Sequence, residues 1–129
     1  MALRPLATRL AKELASEYLS FIQLAIENEE TALKLPLDGP ISLGRSGQAD
    51  WGKGVDLTPF GAQEKGVSFN HAKLFRLDGL ILVVDLDSLN GTLINNYRIP
   101  PHSPFILNDG DCLQLGMLQI KVSYASENR

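Results

Sequence analysis

The sequence predicts an all-β protein, an antiparallel sandwich or barrel of many short strands, preceded by one amphipathic α-helix. Three observations lead there. From Ala32 onward, short apolar runs alternate with period two and are separated by turn residues roughly every 8–12 positions. Before that, Leu6, Leu10, Leu14 and Tyr18 recur every four residues, and Phe21, Ile22, Ala25 and Ile26 continue the stripe, as on one face of a helix. The chain has 129 residues, 44% hydrophobic and 21% charged, which is enough to build a core without disulfide staples.

The helix is expected over residues 6–28. Pro5 suits a first turn, where its missing N–H has no helical partner. Glu27, Glu29 and Glu30 stand at the other end, where the helix dipole disfavours them. Five acids against three bases in residues 1–30 argue against a membrane-surface helix. Its apolar face is expected to pack on its own domain or on a second copy, giving a homodimer. Residues 1–32 thus read as helix and linker, and 33–129 as the β domain.

Strands follow in order. Residues 33–37 and 41–45 alternate around the turn Asp38-Gly39-Pro40. A polar, Gly-rich loop over 46–53 leads to a short strand at 55–57 and a longer loop over 58–67. Residues 71–77 and 80–86 flank Asp78-Gly79, a pair that tolerates the positive φ of a hairpin turn. Asn90-Gly91 reads as another tight turn, and Asn95-Asn96 as a third between 92–94 and 97–99. Residues 105–107, 111–115 and 118–122 complete the set, with Gly116-Met117 between the last two.

Composition excludes several functions. The net charge of −3 disfavours a nucleic-acid binder. The longest aliphatic run, Leu80 to Val84, is far short of the roughly 20 residues of a membrane helix, and no signal-peptide core is visible. The cytoplasm is the expected compartment. Cys112, His71 and His102 cannot assemble a zinc site of Cys and His ligands, so no metal is expected. Ser68, His71 and Asp85 lack the nucleophile elbow of a hydrolase, and no phosphate-cradling loop opens a helix, so neither catalytic residues nor a cofactor are implied. Asp85 and Asp87, two apart on a strand, would share a face and read as a turn anchor before they read as a cation site.

A different set of residues is more specific. Gly44-Arg45 ends a strand, Ser68-Phe69-Asn70-His71 begins another, and Ser88-Leu89-Asn90-Gly91-Thr92 forms a turn followed by Asn95-Asn96. In this order and spacing, residues 33–124 resemble the forkhead-associated (FHA) domain. The resemblance implies an eleven-strand β-sandwich of two twisted sheets whose loops bind a phosphothreonine-containing partner, a binding module and not an enzyme. It implies phosphopeptide-binding roles for Arg45, Ser68 and Asn90. Gly44, His71, Gly91, Thr92 and Asn95 are implied to support the loops. The setting would be Ser/Thr kinase signalling.

The chemistry of those residues agrees. A phosphate monoester carries about −1.5 to −2 charge at neutral pH. Arginine meets it with a planar, permanently charged donor fork, serine adds a hydroxyl donor, and asparagine can bond both C=O and N–H of an extended peptide. A glycine beside the asparagine would allow close backbone approach. Residues 45–76 hold five bases and three acids, a locally positive stretch on an acidic chain. The sequence departs from the family where a polar residue often follows the serine, here Phe69, and at Leu89, where a hydroxyl is common; Asn96 replaces a usual glycine. Phe69 and Leu89 also open an alternative, a degenerate FHA scaffold that binds a protein partner through apolar contacts, independently of phosphate.

Overall fold

The computed structural model describes residues 21–47 and 53–125. Among these, eleven strands run in chain order: β1 (Phe21–Ile26), β2 (Leu33–Pro36), β3 (Ile41–Gly44), β4 (Lys53–Asp56), β5 (Asn70–Leu77), β6 (Leu80–Asp85), β7 (Thr92–Ile94), β8 (Tyr97–Arg98), β9 (Phe105–Ile106), β10 (Cys112–Leu115) and β11 (Leu118–Ala125). A short 3₁₀ turn, Thr58–Phe60, follows β4. One sheet has the order β2-β1-β11-β10-β7-β8, the other β4-β3-β5-β6-β9.

The expected helix is not seen. Its last part, Phe21–Ile26, is a strand that pairs with both β2 and β11; positions 6–20 lie outside the described residues. The segment carries both periodicities. Ile22, Ala25 and Ile26 fit a helix, but Ile22, Leu24 and Ile26 also alternate, and these three are buried. Two β-branched isoleucines and an edge to pair with on either side decide for the strand. The sheet therefore takes in residues ahead of position 33, and the helical dimer face has no counterpart over residues 21–26.

Pairing is antiparallel except between β3 and β4, which run parallel, so the second sheet is mixed and not wholly antiparallel. Both residues of Asp78-Gly79 have positive φ, as do Asn95 and Asn96, the geometry that matches hairpin twist. Asn90-Gly91 is different. β6 and β7 belong to different sheets, so this stretch carries the chain across the sandwich and does not close a hairpin. The inner faces bury Ile22 and Leu24 of β1, Leu43 of β3, Leu74 of β5, Val83 of β6 and Ile120 of β11 in one core.

Candidate functional site

The site grows from an irregularity in β5. Leu43 lies opposite Ala72 but Gly44 lies opposite Asn70, so His71 is the extra residue of a β-bulge. Plain alternation would place His71 on the outer face with Lys73 and Phe75. The bulge turns it inward, and it is fully buried beside buried Ala72. Its Nδ1 accepts the backbone N–H of Ser68 at 2.9 Å, so the ring proton sits on Nε2 and is donated to the Gly91 carbonyl at 2.8 Å. One neutral imidazole thus ties the Ser68 segment to the crossing segment. Burial lowers the pKa of His71; the Gly91 carbonyl and Asp85 act against that without reversing it.

Asp85, at the end of β6, organises the crossing itself. Its Oδ1 accepts the hydroxyls of Ser88 and Thr92, both at 2.6 Å, and its Oδ2 the Ser88 N–H at 3.2 Å. Ser88 Oγ in turn accepts the Gly91 N–H at 3.0 Å. Burial pushes the Asp85 carboxyl up, yet the Ser88 and Thr92 hydrogen bonds, with His71 Nε2 4.0 Å away, outweigh it and hold the pKa below the ordinary value. Of the two sequence readings for Asp85, the anchor of a turn is the one observed. Asp87 lies past the strand with positive φ.

Two side chains converge on one strap, residues 66–68, and a third, Ser68, belongs to it. Arg45 donates Nε–H to the Val67 carbonyl at 2.7 Å. Asn90 donates Nδ2–H to the Gly66 carbonyl at 2.9 Å. Ser68 Oγ accepts the Leu89 N–H at 3.0 Å. Each of these bonds leaves capacity over. Arg45 keeps the four N–H groups of its two Nη atoms, Asn90 a second N–H and its Oδ1, and Ser68 its hydroxyl proton. Asn90 lines a cavity of about 440 Å³ with Glu64, Lys65, Gly66, Gly116 and Met117. Arg45 and Ser68 are not among its walls. Another concavity, of about 380 Å³, lies at the far end of β3 from Arg45, against Leu37, Pro40 and Phe75.

The supporting residues have distinct duties. The Phe69 carbonyl accepts the backbone N–H groups of both Arg45 and Ser46, and comes so close to Gly44 that a Cβ there would lie 2.2 Å from it. Gly44 is therefore a packing requirement of the bulge. Gly91 has φ of +90°, and a Cβ on it would meet Arg98 Nε at 2.6 Å. Its smallness thus admits Arg98, a cation whose place here the sequence reading missed. Thr92 is buried on Asp85. Asn95 bonds the side chain of Asp111 at 3.0 Å and the N–H of Cys112 at 2.9 Å, which fixes the β7–β8 hairpin on β10; neither bond reaches Arg45, Ser68 or Asn90. Asn70 accepts the Ser46 hydroxyl at 3.1 Å.

Sequence reasoning also passed over the strap. Gly66 and Val67 contribute carbonyls, which any residue type could supply. Lys65 secures the strap from below: its ammonium pairs with Glu27 at 2.8 Å and its carbonyl accepts the Met117 N–H at 2.8 Å. The Lys65 hydrogen bond is the main reason the Glu27 carboxyl titrates below its usual value. The one legible signal was the hydroxyl spacing of Ser88 and Thr92 after Asp85, which suits a carboxylate-centred turn.

A two-sheet sandwich whose loops bring an arginine and an asparagine onto a strap that carries a serine defines a loop-borne binding module. Residues 41–116 match the FHA domain family, and the chain belongs to that family. The solution structure of the FHA domain of an Arabidopsis thaliana hypothetical protein superposes with a TM-score of 0.67 at 27% identity, covering 83% of this chain and 87% of that one. A structure described as a structural and functional analysis of phosphothreonine-dependent FHA domain interactions gives 0.60 at 26% identity, covering 80% and 95%. The oxoglutarate dehydrogenase inhibitor of Corynebacterium diphtheriae is 41% identical over 54 residues, 42% of this chain and 36% of that protein. The chain spans about a third or less of the curated relatives it matches.

Proposed function

We propose that this chain is a phosphothreonine-dependent protein-interaction module, with Arg45 as the phosphate anchor, Ser68 as a second phosphate donor and Asn90 as the holder of the ligand backbone. The observation that carries the reading is that Arg45 and Asn90 are anchored to the carbonyls of Val67 and Gly66 while Ser68, next along the same strap, accepts the Leu89 N–H, each side chain with donors left over. Arg45 held through Nε presents a pre-positioned guanidinium edge, the geometry that suits a phosphate's oxygens. His71, Thr92, Gly44 and Gly91 hold the loops; Asn95 holds the neighbouring hairpin. The similarity to an FHA domain studied for phosphothreonine-dependent interactions points the same way. The partner is then a protein phosphorylated by a Ser/Thr kinase, met in the cytoplasm, and the module binds without catalysing. We take the binding unit to begin with β1.

The test is an oriented phosphothreonine peptide library, screened with the wild type and Arg45→Ala side by side. Selective capture of phosphorylated peptides by the wild type, lost in Arg45→Ala, is the expected result. Equal capture of phosphorylated and unphosphorylated peptides would overturn the reading in favour of a phosphate-independent scaffold.

A further inference from the structure

Two large apolar side chains stand open to solvent beside Ser68. Phe69 is 56% exposed and Leu89 is 83% exposed. Both are fixed to the site by their backbones. Phe69 follows Ser68 directly, and its carbonyl receives the Arg45 N–H at 2.9 Å; its ring lies 6.0 Å from the Arg45 guanidinium carbon, within range of a cation–π contact. The Leu89 N–H is the group that Ser68 Oγ accepts, so Leu89 stands on the opposite loop, across the hydroxyl from Phe69. The part of an apolar side chain that stays exposed in the folded chain contributes nothing to its stability. A ligand that covers it recovers that contribution.

We propose that Phe69 and Leu89 form a pair of apolar jaws around Ser68, and that the module selects phosphothreonine segments carrying a large apolar side chain within two residues of the phosphate. The inference rests on the phosphothreonine reading and specifies its ligand. Charge complementarity places the phosphate at Arg45 and Ser68. The neighbouring side chains of the ligand must then lie over the residues beside those two, which are Phe69 on one side and Leu89 on the other. A polar residue at position 69 would favour charged neighbours; an aromatic ring beside the anchoring guanidinium disfavours them, because it would strip their water without offering a partner.

The experiment is a phosphothreonine library randomised at the two positions on either side of the phosphorylated residue. Fluorescence polarisation then measures the selected peptide, its counterpart with glutamate at the apolar position, and its unphosphorylated form. The wild type should select Leu, Ile, Val, Phe or Met, and glutamate should weaken binding about tenfold. In the double variant Phe69→Lys, Leu89→Thr that ratio should collapse or invert. Leu77→Ser, an exposed apolar position at the far β5–β6 hairpin, should keep the wild-type ratio. Thermal melting checks that each variant folds; should the double variant fail, Leu89→Thr alone supplies the comparison. Phosphate-dependent binding without apolar preference, or a preference that survives both substitutions, overturns the jaws and leaves the phosphothreonine reading standing. Equal binding of the unphosphorylated peptide overturns both.

Discussion

Ser68 has one hydroxyl proton to give. Its oxygen accepts the Leu89 N–H, and that bond leaves the proton available to a ligand. A charge-assisted hydrogen bond contributes about 1.5–3 kcal/mol. Ser68→Ala should therefore weaken phosphopeptide binding by roughly tenfold to a hundredfold, while Ser68→Thr should retain most of it, as read by isothermal titration calorimetry. His71 makes a prediction of a different kind. Its folded-state pKa lies below the ordinary value near 6.5, so the unfolded chain takes up this proton first. The stability His71 contributes is complete above about pH 6.5 and is lost as pH falls from there through the folded-state value. Urea unfolding of the wild type between pH 7.5 and 5 should show that decline, and His71→Gln should flatten its upper part. At this scale the sequence showed which residue types could meet phosphate. It did not show the carbonyls of Gly66 and Val67, because a backbone acceptor leaves no mark in composition.

The crossing from β6 to β7 is the element on which the site depends. Asp85 is a buried carboxylate whose donors come from Ser88 and Thr92, and those bonds bring Asn90 to the strap. Thr92→Val keeps the shape and removes one donor. It should cost about 1–3 kcal/mol in chemical denaturation, because the carboxylate stays buried with one bond fewer. The same variant should weaken phosphopeptide binding without contacting the ligand. Turn residues made this segment legible as a turn, but a turn between paired strands and a turn between sheets use the same amino acids. Only the partners of β6 and β7, on opposite faces of the core, distinguish them. The β1 segment is ambiguous in a similar way. Its apolar residues satisfy a helical and an alternating period together, and the free edges of β2 and β11 settle which one is used.

For the whole molecule, β1 is the second strand of a six-stranded sheet and not an appendage. It buries Ile22, Leu24 and Ile26, each a side chain whose burial contributes about 1.5–3 kcal/mol. That sum is comparable with the 5–15 kcal/mol by which domains are stable. A chain truncated to residues 33–129 should lose cooperative thermal unfolding and amide dispersion in its NMR spectrum, both of which the full chain should show. The truncation would also remove Glu27 and with it the ion pair that holds Lys65 beneath the strap. Fold and site are thus joined at both ends of the chain, with β1 and β11 paired along their length.

Residue order alone determined the β-rich class, most strand positions after Ala32 and the chemical types of Arg45, Ser68 and Asn90. Alternation and turn chemistry are local properties, and a guanidinium or a carboxamide has the same bonding capacity wherever the chain places it. Tertiary structure decided the strand at Phe21–Ile26, the parallel pair β3–β4, the inward turn of His71 at the bulge and the meeting of Arg45 and Asn90 on the strap that carries Ser68. Each of these depends on a hydrogen-bonding partner distant in sequence, and the energy of such a bond exists only once the two segments meet.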